Sequence, residues 1–109
     1  QCNLTGTWDN DLGTTMTIGA VNSEGEFDGS YTTSGADRTN EIKTFPLRGF
    51  QHIDKEPTFG FTVRWTFSDS TSVFVGQCFV GEHGKEILKT TWLMRLWVIS
   101  IHDNWKATR

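Results

Sequence analysis

The chain has 109 residues, 21% of them charged, and a formal net charge of −3. A chain of this length is expected to form one domain, over residues 1–109, that buries roughly two-thirds of its unfolded surface. The weakly acidic balance excludes a basic face for nucleic acid, and no apolar run approaches the roughly 20 residues of a membrane-spanning helix. We therefore expect neither nucleic acid nor a membrane as a partner.

The first half of the chain predicts short β-strands, because apolar and polar residues alternate between clusters of turn residues. In the first strand Trp8 and Asn10 share a face, and in the third Tyr31 and Thr33 do. Pro46 in the fourth strand requires an edge position or a bulge, since proline donates no backbone hydrogen bond. The four predicted strands comprise residues 4–10, 15–21, 26–33 and 40–50.

Residues 57–79 predict an aromatic β-hairpin. Polar turn residues at 68–71 separate its first strand from a second strand over residues 72–80. Ser68, Ser70 and Ser72 stand beside the aromatic residues, and such a mixture suits a small, partly polar ligand. Serines that only form the turn are the simpler interpretation. The residues predicted to share the inner face of the first strand are Phe59, Phe61, Val63, Trp65 and Phe67.

Residues 85–101 predict a last strand. Leu88, Trp92 and Met94 lie on one side of it, and its final residues, 96–101, are apolar on both sides. No helical periodicity of useful length is present. Sequential strands joined by short turns indicate an all-β fold, an antiparallel up-and-down β-barrel.

The search for catalytic or metal-binding residues favours binding over catalysis. His52, His83 and His102 are far apart in the sequence and are expected to be solvated. No activated nucleophile, poised acid and base pair or phosphate-binding loop is recognisable, and no cluster of Cys and His predicts a metal site.

Cys2 and Cys78 either pair or remain two buried thiols. The sequon Asn3-Leu4-Thr5 is an acceptor for N-linked glycan. An acceptor site together with a possible disulfide indicates a secreted, extracellular protein, and a signal peptide, if there was one, is expected to have been removed.

Several segments resemble the avidin family of biotin-binding proteins, and the resemblance covers nearly the whole chain. It implies an eight-stranded up-and-down barrel that assembles as a tetramer or sometimes a dimer, with biotin in one end of each barrel. The segments are LTGTWDNDLG (4–13), MTIGAVNSEGEFDGSYTT (16–33), PTFGFTVRWTFSDST (57–71), VFVGQCF (73–79), GKEILKTTWLMR (84–95) and DNWKATR (103–109).

The resemblance implies a role for each matched position. Asn10, Thr14 and Tyr31 match the donors to the ureido oxygen of biotin. Cys2 and Cys78 match the family's disulfide. Further positions match an acceptor for a ureido nitrogen (Thr33), a group near the ring sulfur (Ser72), the aromatic box (Trp65, Phe74, Trp92), the apolar lining (Phe67, Met94), the carboxylate site (Asp37, Arg38, Ser68, Ser70) and a tryptophan that enters a neighbouring subunit's pocket (Trp105). Leu12 is a further predicted ligand-binding residue.

Three features depart from the family. Asp37 places a negative charge near the expected ligand carboxylate, which Arg38 could offset. Residues 96–101 are more apolar than the family shows, which indicates an altered subunit interface or an inserted plug unless they simply pack in the barrel. The sequence reaches only the start of the family's eighth strand, so the first and seventh strands are expected to have unpaired edges, and we expect a longer protein to supply that strand.

The function implied is sequestration of biotin by a secreted, non-enzymatic homo-oligomer, with a tetramer favoured and a dimer possible. One alternative is a lipocalin-like carrier of another small hydrophobic ligand, which would need a larger, more apolar pocket and would not need Asn10, Tyr31 and Thr33 on inward faces. Another is a degenerate relative with weak biotin binding. An enzyme ranks last, because no reactive pair is recognisable.

Overall fold

The computed structural model describes residues 1–10, 13–33 and 43–109. In these residues seven antiparallel strands form one sheet in which each strand pairs with the next along the chain. The sheet curls into a half-barrel, which confirms the predicted all-β up-and-down fold. The strands are β1 (Gly6–Asp9), β2 (Thr15–Ile18), β3 (Glu26–Thr33), β4 (Lys43–Gln51), β5 (Thr58–Arg64), β6 (Thr71–Val80) and β7 (Glu86–Arg95), and short 3₁₀ helices span Glu82–Gly84 and Ile101–Lys106.

The concave face of the sheet holds the core. Along β4 and β5 every second side chain is buried, as the period-two pattern of the sequence requires. Phe45 and Val63 are among the largest fully buried side chains. The other buried apolar residues that join them in one cluster are Cys2, Leu4, Met16, Ile18, Phe27, Leu47, Phe59, Phe61 and Cys78.

Two predicted strands end earlier than expected. The second stops at Ile18 rather than residue 21, and the first strand of the hairpin stops at Arg64. Phe67 therefore lies in the β5–β6 connection and is 65% exposed, so its prediction as a core-facing strand residue is wrong. Turn residues interrupt the alternation at 66–67. The Phe67 ring nevertheless contacts Phe45, with 5.5 Å between the ring centroids.

Pro46 occupies a position where a missing backbone donor is tolerated. It lies opposite Ser30 of β3, while the pairing of β4 with β5 begins only at Leu47. Pro46 is thus on a local edge of the sheet, as its sequence position in the fourth strand predicted.

Cys2 and Cys78 form a disulfide with their Cα atoms 5.9 Å apart, which confirms the pairing that the resemblance implied. Both residues are buried in the core cluster. The bridge ties the segment before β1 to the far end of β6 across 76 positions of sequence.

The last predicted strand ends at Arg95 rather than residue 101. After an irregular segment and the second 3₁₀ helix, the chain returns to β7, where Thr108 pairs with Arg95 and the backbones of Met94 and Arg109 exchange two hydrogen bonds, of 2.8 and 3.1 Å. This pairing covers the outer edge of β7 at its last two residues. In the described residues β1 and β7 each pair with a strand on one side only, which confirms the predicted unpaired edges.

Because consecutive strands are antiparallel, β1, β3, β5 and β7 all finish at the same end of the sheet, which we call the mouth. The β5–β6 connection (residues 65–70) and the segment after β7 (residues 96–107) lie there. None of the helices in the described residues has the length and apolar character needed to cross a membrane.

Replacing both bridged cysteines, as Cys2→Ser with Cys78→Ser, is expected to lower the free energy of unfolding by about 4 kcal/mol, because a long loop in the unfolded chain is no longer closed. Urea denaturation of the oxidised protein and the double variant measures the difference. A reducing agent should shift the parent protein to the midpoint of the variant and leave the variant unchanged. A variant as stable as the parent would show that the bridge does not limit the unfolded chain.

Candidate ligand-binding site

The half-barrel encloses a cavity of about 520 Å³ between β1–β3 on one side and β6–β7 on the other. Both polar and apolar side chains reach it, which is typical of sites for small ligands. Its lining residues are Trp8, Asp9, Asn10, Thr14, Met16, Tyr31, Phe61, Phe74, Lys85, Glu86, Ile87, Leu88 and Thr90.

A polar corner formed by Asn10, Thr14 and Tyr31 lies where the cavity meets the mouth. The Thr14 hydroxyl and the Tyr31 hydroxyl are 3.1 Å apart and share a hydrogen bond. Asn10 Oδ1 accepts a hydrogen bond from Thr14 N at 3.1 Å, and the Asn10 backbone donates to Thr14 O at 3.2 Å. Hydrogen bonds thus hold Asn10 and Thr14 together, and the pairing of β2 with β3 brings Tyr31 beside them, so the polar groups of the three residues can meet one ligand atom.

An aromatic wall continues from the polar corner. Tyr31 meets Trp65 edge-on with centroids 5.7 Å apart, and it lies 5.8 Å from Phe74. Phe74 is stacked on Phe61 at 4.8 Å and contacts Trp92 at 6.2 Å. Trp65, Phe74 and Trp92, the three predicted box residues, are therefore joined through one continuous set of ring contacts.

Serines complete the mouth side of this wall. Trp65 Nε1 donates to the hydroxyl of Ser72 at 2.8 Å, and Ser72 is only 1% exposed. Ser68 and Ser70 share a hydrogen bond through their hydroxyls. Met94 lies directly opposite Ser72 in the β6–β7 pairing. The Ser72 hydroxyl therefore positions the Trp65 ring, a contact that the sequence did not indicate.

Other predicted site residues lie away from the cavity. The Thr33 hydroxyl donates to Lys43 O at 3.4 Å, and Trp105 is 81% exposed. Leu12, Asp37 and Arg38 lie outside the described residues, so their predicted roles stay predictions. The predicted residues that do not line the cavity are Thr33, Trp65, Phe67, Ser68, Ser70, Ser72, Trp92, Met94 and Trp105.

Sequence reasoning missed several residues of the site. Trp8 and Met16 line the cavity, and Phe45 supports Trp65 from behind with centroids 4.9 Å apart. The alternation of strand residues could have predicted two of them. Trp8 shares a strand face with Asn10, and Met16, two positions after Thr14, shares a face with that residue.

The end of the cavity away from the mouth is charged, since Lys85 and Glu86 line it, and Glu86 accepts a hydrogen bond from Asn3 N at 2.6 Å. At the mouth, Asp9 accepts a hydrogen bond from the Thr15 hydroxyl at 3.0 Å. Across residues 1–10, 13–33 and 43–109, no group of three or more His, Cys, Asp or Glu residues could hold a metal ion.

Comparison with known proteins gives one consistent result. The sequence pattern that defines the Avidin family matches residues 1–109. The chain is 64% identical to Avidin-related protein 1 of Gallus gallus, covering 100% of this chain and 73% of that protein, and 61% identical to Avidin of Gallus gallus, covering 100% and 74%. Its fold is similar to the X-ray structure of a biotin binding protein from chicken, with a TM-score of 0.89, 54% identity and coverage of 99% and 89%.

The contact between Trp65 and Ser72 is expected to contribute measurably to stability. Ser72→Ala leaves the Trp65 N–H, on a half-buried ring, without its acceptor, so the free energy of unfolding should fall by about 1 kcal/mol or more. In a Trp65→Phe background the same change should cost about 1 kcal/mol less, since no donor remains to be left unpaired. Urea denaturation of the parent, the two single variants and the double variant measures the coupling energy between Ser72 and Trp65.

Ser70→Ala is the matched control, because Ser70 is also buried but bonds to Ser68 instead of Trp65. The loss in the free energy of unfolding caused by Ser70→Ala should add to the loss caused by Trp65→Phe. Equal effects of Ser72→Ala in both backgrounds would rule out the positioning contact.

Proposed function

The chain belongs to the avidin family, and from that premise we propose that it binds biotin non-covalently in the mouth of its half-barrel. The proposal is for a binding protein and not an enzyme. Sequestration of biotin is the activity that follows.

The polar corner is the observation that supports this proposal most directly. Asn10, Thr14 and Tyr31 line one end of the cavity, and the two hydroxyls are already 3.1 Å apart. A ligand oxygen placed beside both hydroxyls would accept hydrogen bonds from both of them and from the Asn10 amide. Three donors that converge on one carbonyl oxygen polarise it, and each hydrogen bond becomes stronger than a bond between neutral, unpolarised groups. The ureido oxygen of biotin has this chemistry.

The aromatic wall supports the other half of the ligand. Phe74 lines the cavity, and Trp65 and Trp92 adjoin it through ring contacts with Tyr31 and Phe74. In this proposal the three residues surround the bicyclic ring system. The wall is preformed through its contacts with Phe61 and Phe45, so little conformational entropy is lost when a ligand is enclosed. Trp92 is 54% exposed in the free chain and has area to lose on binding.

The remaining assignments rest on the family resemblance. In this proposal Thr33 accepts from a ureido nitrogen and Ser72 lies near the ring sulfur. The other assigned residues are the apolar lining (Phe67, Met94), the group that holds the carboxylate of the ligand (Asp37, Arg38, Ser68, Ser70) and Leu12 as a further ligand-binding residue. Exposure of Phe67 and of the Ser68 side of the mouth is compatible with a ligand end that meets solvent.

We also propose that the protein is secreted and forms homo-oligomers, with a tetramer favoured over a dimer. The Cys2–Cys78 disulfide supports an oxidising compartment. Trp105 is 81% exposed and does not line the cavity of its own chain. Its assigned place is in the pocket of a neighbouring subunit, where it would cover the ligand.

A carrier of a larger apolar ligand is the second candidate. The observation in its favour is the extent of the cavity, which continues past Met16 and Phe61 to Ile87 and Leu88. A fatty acid would use this apolar length and would have little need of the polar corner.

Titration calorimetry distinguishes the two candidates. Biotin is expected to bind the parent chain with one site per subunit, and Tyr31→Phe should weaken binding by about 10- to 100-fold, because one donor to a polarised oxygen is lost. Thr62→Val is the matched control on the outer face of β5, since Thr62 is exposed and remote from the cavity. It should leave the affinity unchanged.

Desthiobiotin and a fatty acid complete the experiment. Desthiobiotin keeps the ureido group and should respond to Tyr31→Phe in the same way as biotin. A folded parent chain that gives no heat with biotin would sink the proposal, and binding of the fatty acid with no effect of Tyr31→Phe would favour the carrier.

We further propose that Asn3 carries an N-linked glycan. Asn3 is exposed, and Leu4 beside it is fully buried, so the sequon lies at the surface of an ordered segment. When the protein is secreted from a eukaryotic host, treatment with a peptide N-glycosidase should reduce its apparent mass. Asn3→Gln should have the lower mass from the start, whereas Thr5→Ser should keep the shift. An untreated protein already at the Asn3→Gln mass would contradict this assignment.

A further inference from the structure

The segment that follows β7 exposes every second side chain. From Arg95 to Ile101 exposed side chains alternate with half-buried ones, and Trp97, Ile99 and Ile101 are 64%, 83% and 86% exposed. Alternate side chains of an extended backbone share a face, so these residues lie on one side of the segment. We call Arg95, Trp97, Ile99 and Ile101 the exposed row. Because the row is exposed and none of residues 96–101 lines the cavity, the row neither packs in the barrel nor plugs the cavity.

Hydrogen bonds near both ends hold the exposed row in place. Leu96 N donates to Ala107 O at 2.6 Å, and Ala107 is buried. The Ser100 hydroxyl accepts from His102 N at 3.2 Å, and the Ser100 carbonyl accepts from Asp103 N at 3.0 Å. The row is therefore part of an ordered segment, and little backbone entropy is lost when it contacts another surface.

The apolar area of the exposed row is large for a soluble protein. One tryptophan and two isoleucines with these exposures present apolar surface on the order of 400 Å². A contiguous patch of this size often marks a site of contact with a protein, a ligand or a membrane. Trp105 is not counted in this area, because its assigned place is in the pocket of a neighbouring subunit. The row is thus an apolar surface for which neither the ligand site nor Trp105 accounts.

Two arginines without an ion pair lie beside the apolar side chains of the row. Arg95 begins the row, and Arg109 follows Thr108, which pairs with Arg95. Lys106 Nζ lies 3.5 Å from Asp103 Oδ1, but neither arginine forms an ion pair in the part of the chain that the structure describes. Guanidinium groups bind phosphate oxygens, and tryptophan beside aliphatic side chains is typical of the boundary between headgroups and acyl chains. The segment therefore has the groups that an anionic phospholipid surface would bind.

The charges at the opposite end of the barrel would orient the molecule on such a surface. A membrane partner was not expected from the net charge of −3, but contact with lipid depends on the charges within about 10 Å of the surface. The turns at 19–25, 52–57 and 81–85 lie away from the mouth and hold more carboxylates than lysines. An anionic surface would repel that end and attract the arginines beside the exposed row, so the mouth would face the lipid. The charged residues of these turns are Glu24, Asp54, Lys55, Glu56, Glu82 and Lys85.

We propose that the exposed row docks the protein on an anionic phospholipid surface. Trp97, Ile99 and Ile101 enter the boundary between headgroups and acyl chains, and Arg95 and Arg109 bind lipid phosphates. Such a surface binds both kinds of group at once and needs no partner of matching shape, which favours lipid over a protein. The proposal goes beyond ligand binding, and it depends neither on biotin nor on the number of subunits.

Co-sedimentation of the protein with vesicles tests the proposal. One set of vesicles is phosphatidylcholine alone, and the other is an equal mixture of phosphatidylcholine and phosphatidylglycerol. The parent chain should bind the mixed vesicles more tightly, and added salt should weaken that binding. Trp97→Ser combined with Ile99→Ser should weaken binding to the mixed vesicles by about tenfold or more, because apolar contact is lost. Arg95→Gln should weaken it about fivefold and leave the weaker binding to phosphatidylcholine unchanged.

Variants at the opposite end of the barrel are the matched controls. Ile53 is 68% exposed in the turn between β4 and β5, so Ile53→Ser removes a comparable apolar side chain outside the row. Lys55→Gln removes one positive charge from the same turn. Both controls should bind the mixed vesicles as the parent does.

Quenching by brominated acyl chains separates insertion of the row from adsorption to the headgroups. Mixed vesicles with brominated acyl chains should quench the tryptophan fluorescence of the parent. Trp97→Phe should bind these vesicles with less quenching, because phenylalanine keeps the apolar contact and removes the fluorophore. Equal quenching in the parent and in Trp97→Phe would show that the Trp97 ring does not enter the lipid, against the proposal.

The vesicle data also contain the outcomes that overturn the docking surface. A parent chain that sediments with neither type of vesicle, or equally well with both, contradicts the proposal. Vesicle binding that the variant with both serines retains, or that Ile53→Ser lowers to the same extent, contradicts it as well. If the parent binds no vesicles and Trp97→Ser lowers the mass of a soluble assembly, the row contacts protein instead of lipid.

Discussion

Packing of aromatic rings across the concave face is the interaction on which both the curvature of the sheet and the candidate site depend. Phe45 contacts Trp65, Tyr31 contacts Trp65 and Phe74, and Phe61 stacks on Phe74. These rings come from four strands, so their contacts hold β3, β4, β5 and β6 at a fixed curvature. Phe45 in this cluster is buried in the core, while Tyr31, Phe61 and Phe74 line the cavity. Stability and ligand shape are therefore set by the same contacts.

The polar corner has a different balance. In the free chain Thr14 and Tyr31 satisfy each other, so one hydroxyl donates and the other accepts. A ligand oxygen that accepts from both would break this bond and replace it with two. Hydroxyl hydrogens rotate at low cost, so the exchange requires no movement of the backbone. Their mutual hydrogen bond keeps the two hydroxyls together before a ligand arrives. It also lowers the free-energy cost of leaving the two polar groups without a ligand.

The sequence alone was sufficient to predict the bounds of strands in which side chains alternate regularly between the two faces. Residues 26–33 alternate without interruption, and β3 has these bounds. Phe67 continued the alternation of β5 but lies in a turn, because turn chemistry outweighs side-chain period at a strand end. Residues 96–101 are apolar on both sides, and such a run does not distinguish a buried strand from an exposed segment. The contacts of Trp65 with Phe45 and with Ser72 join the β5–β6 connection to β4 and β6, so the residue pattern along a single strand cannot predict them. The ureido, box and carboxylate assignments came from family resemblance, since local periodicity carries no information on ligand chemistry.

The disulfide also divides the molecule into a covalent ring and an open arm. Residues between Cys2 and Cys78 include β1 to β5 and most of β6, and all of them belong to the ring. β7 and the segment after it belong to the arm, which is attached to the sheet by its pairing with β6. Of the three box residues, Trp65 and Phe74 belong to the ring, and only Trp92 belongs to the arm. The disulfide therefore restrains two walls of the box covalently, whereas the third is held by strand pairing alone.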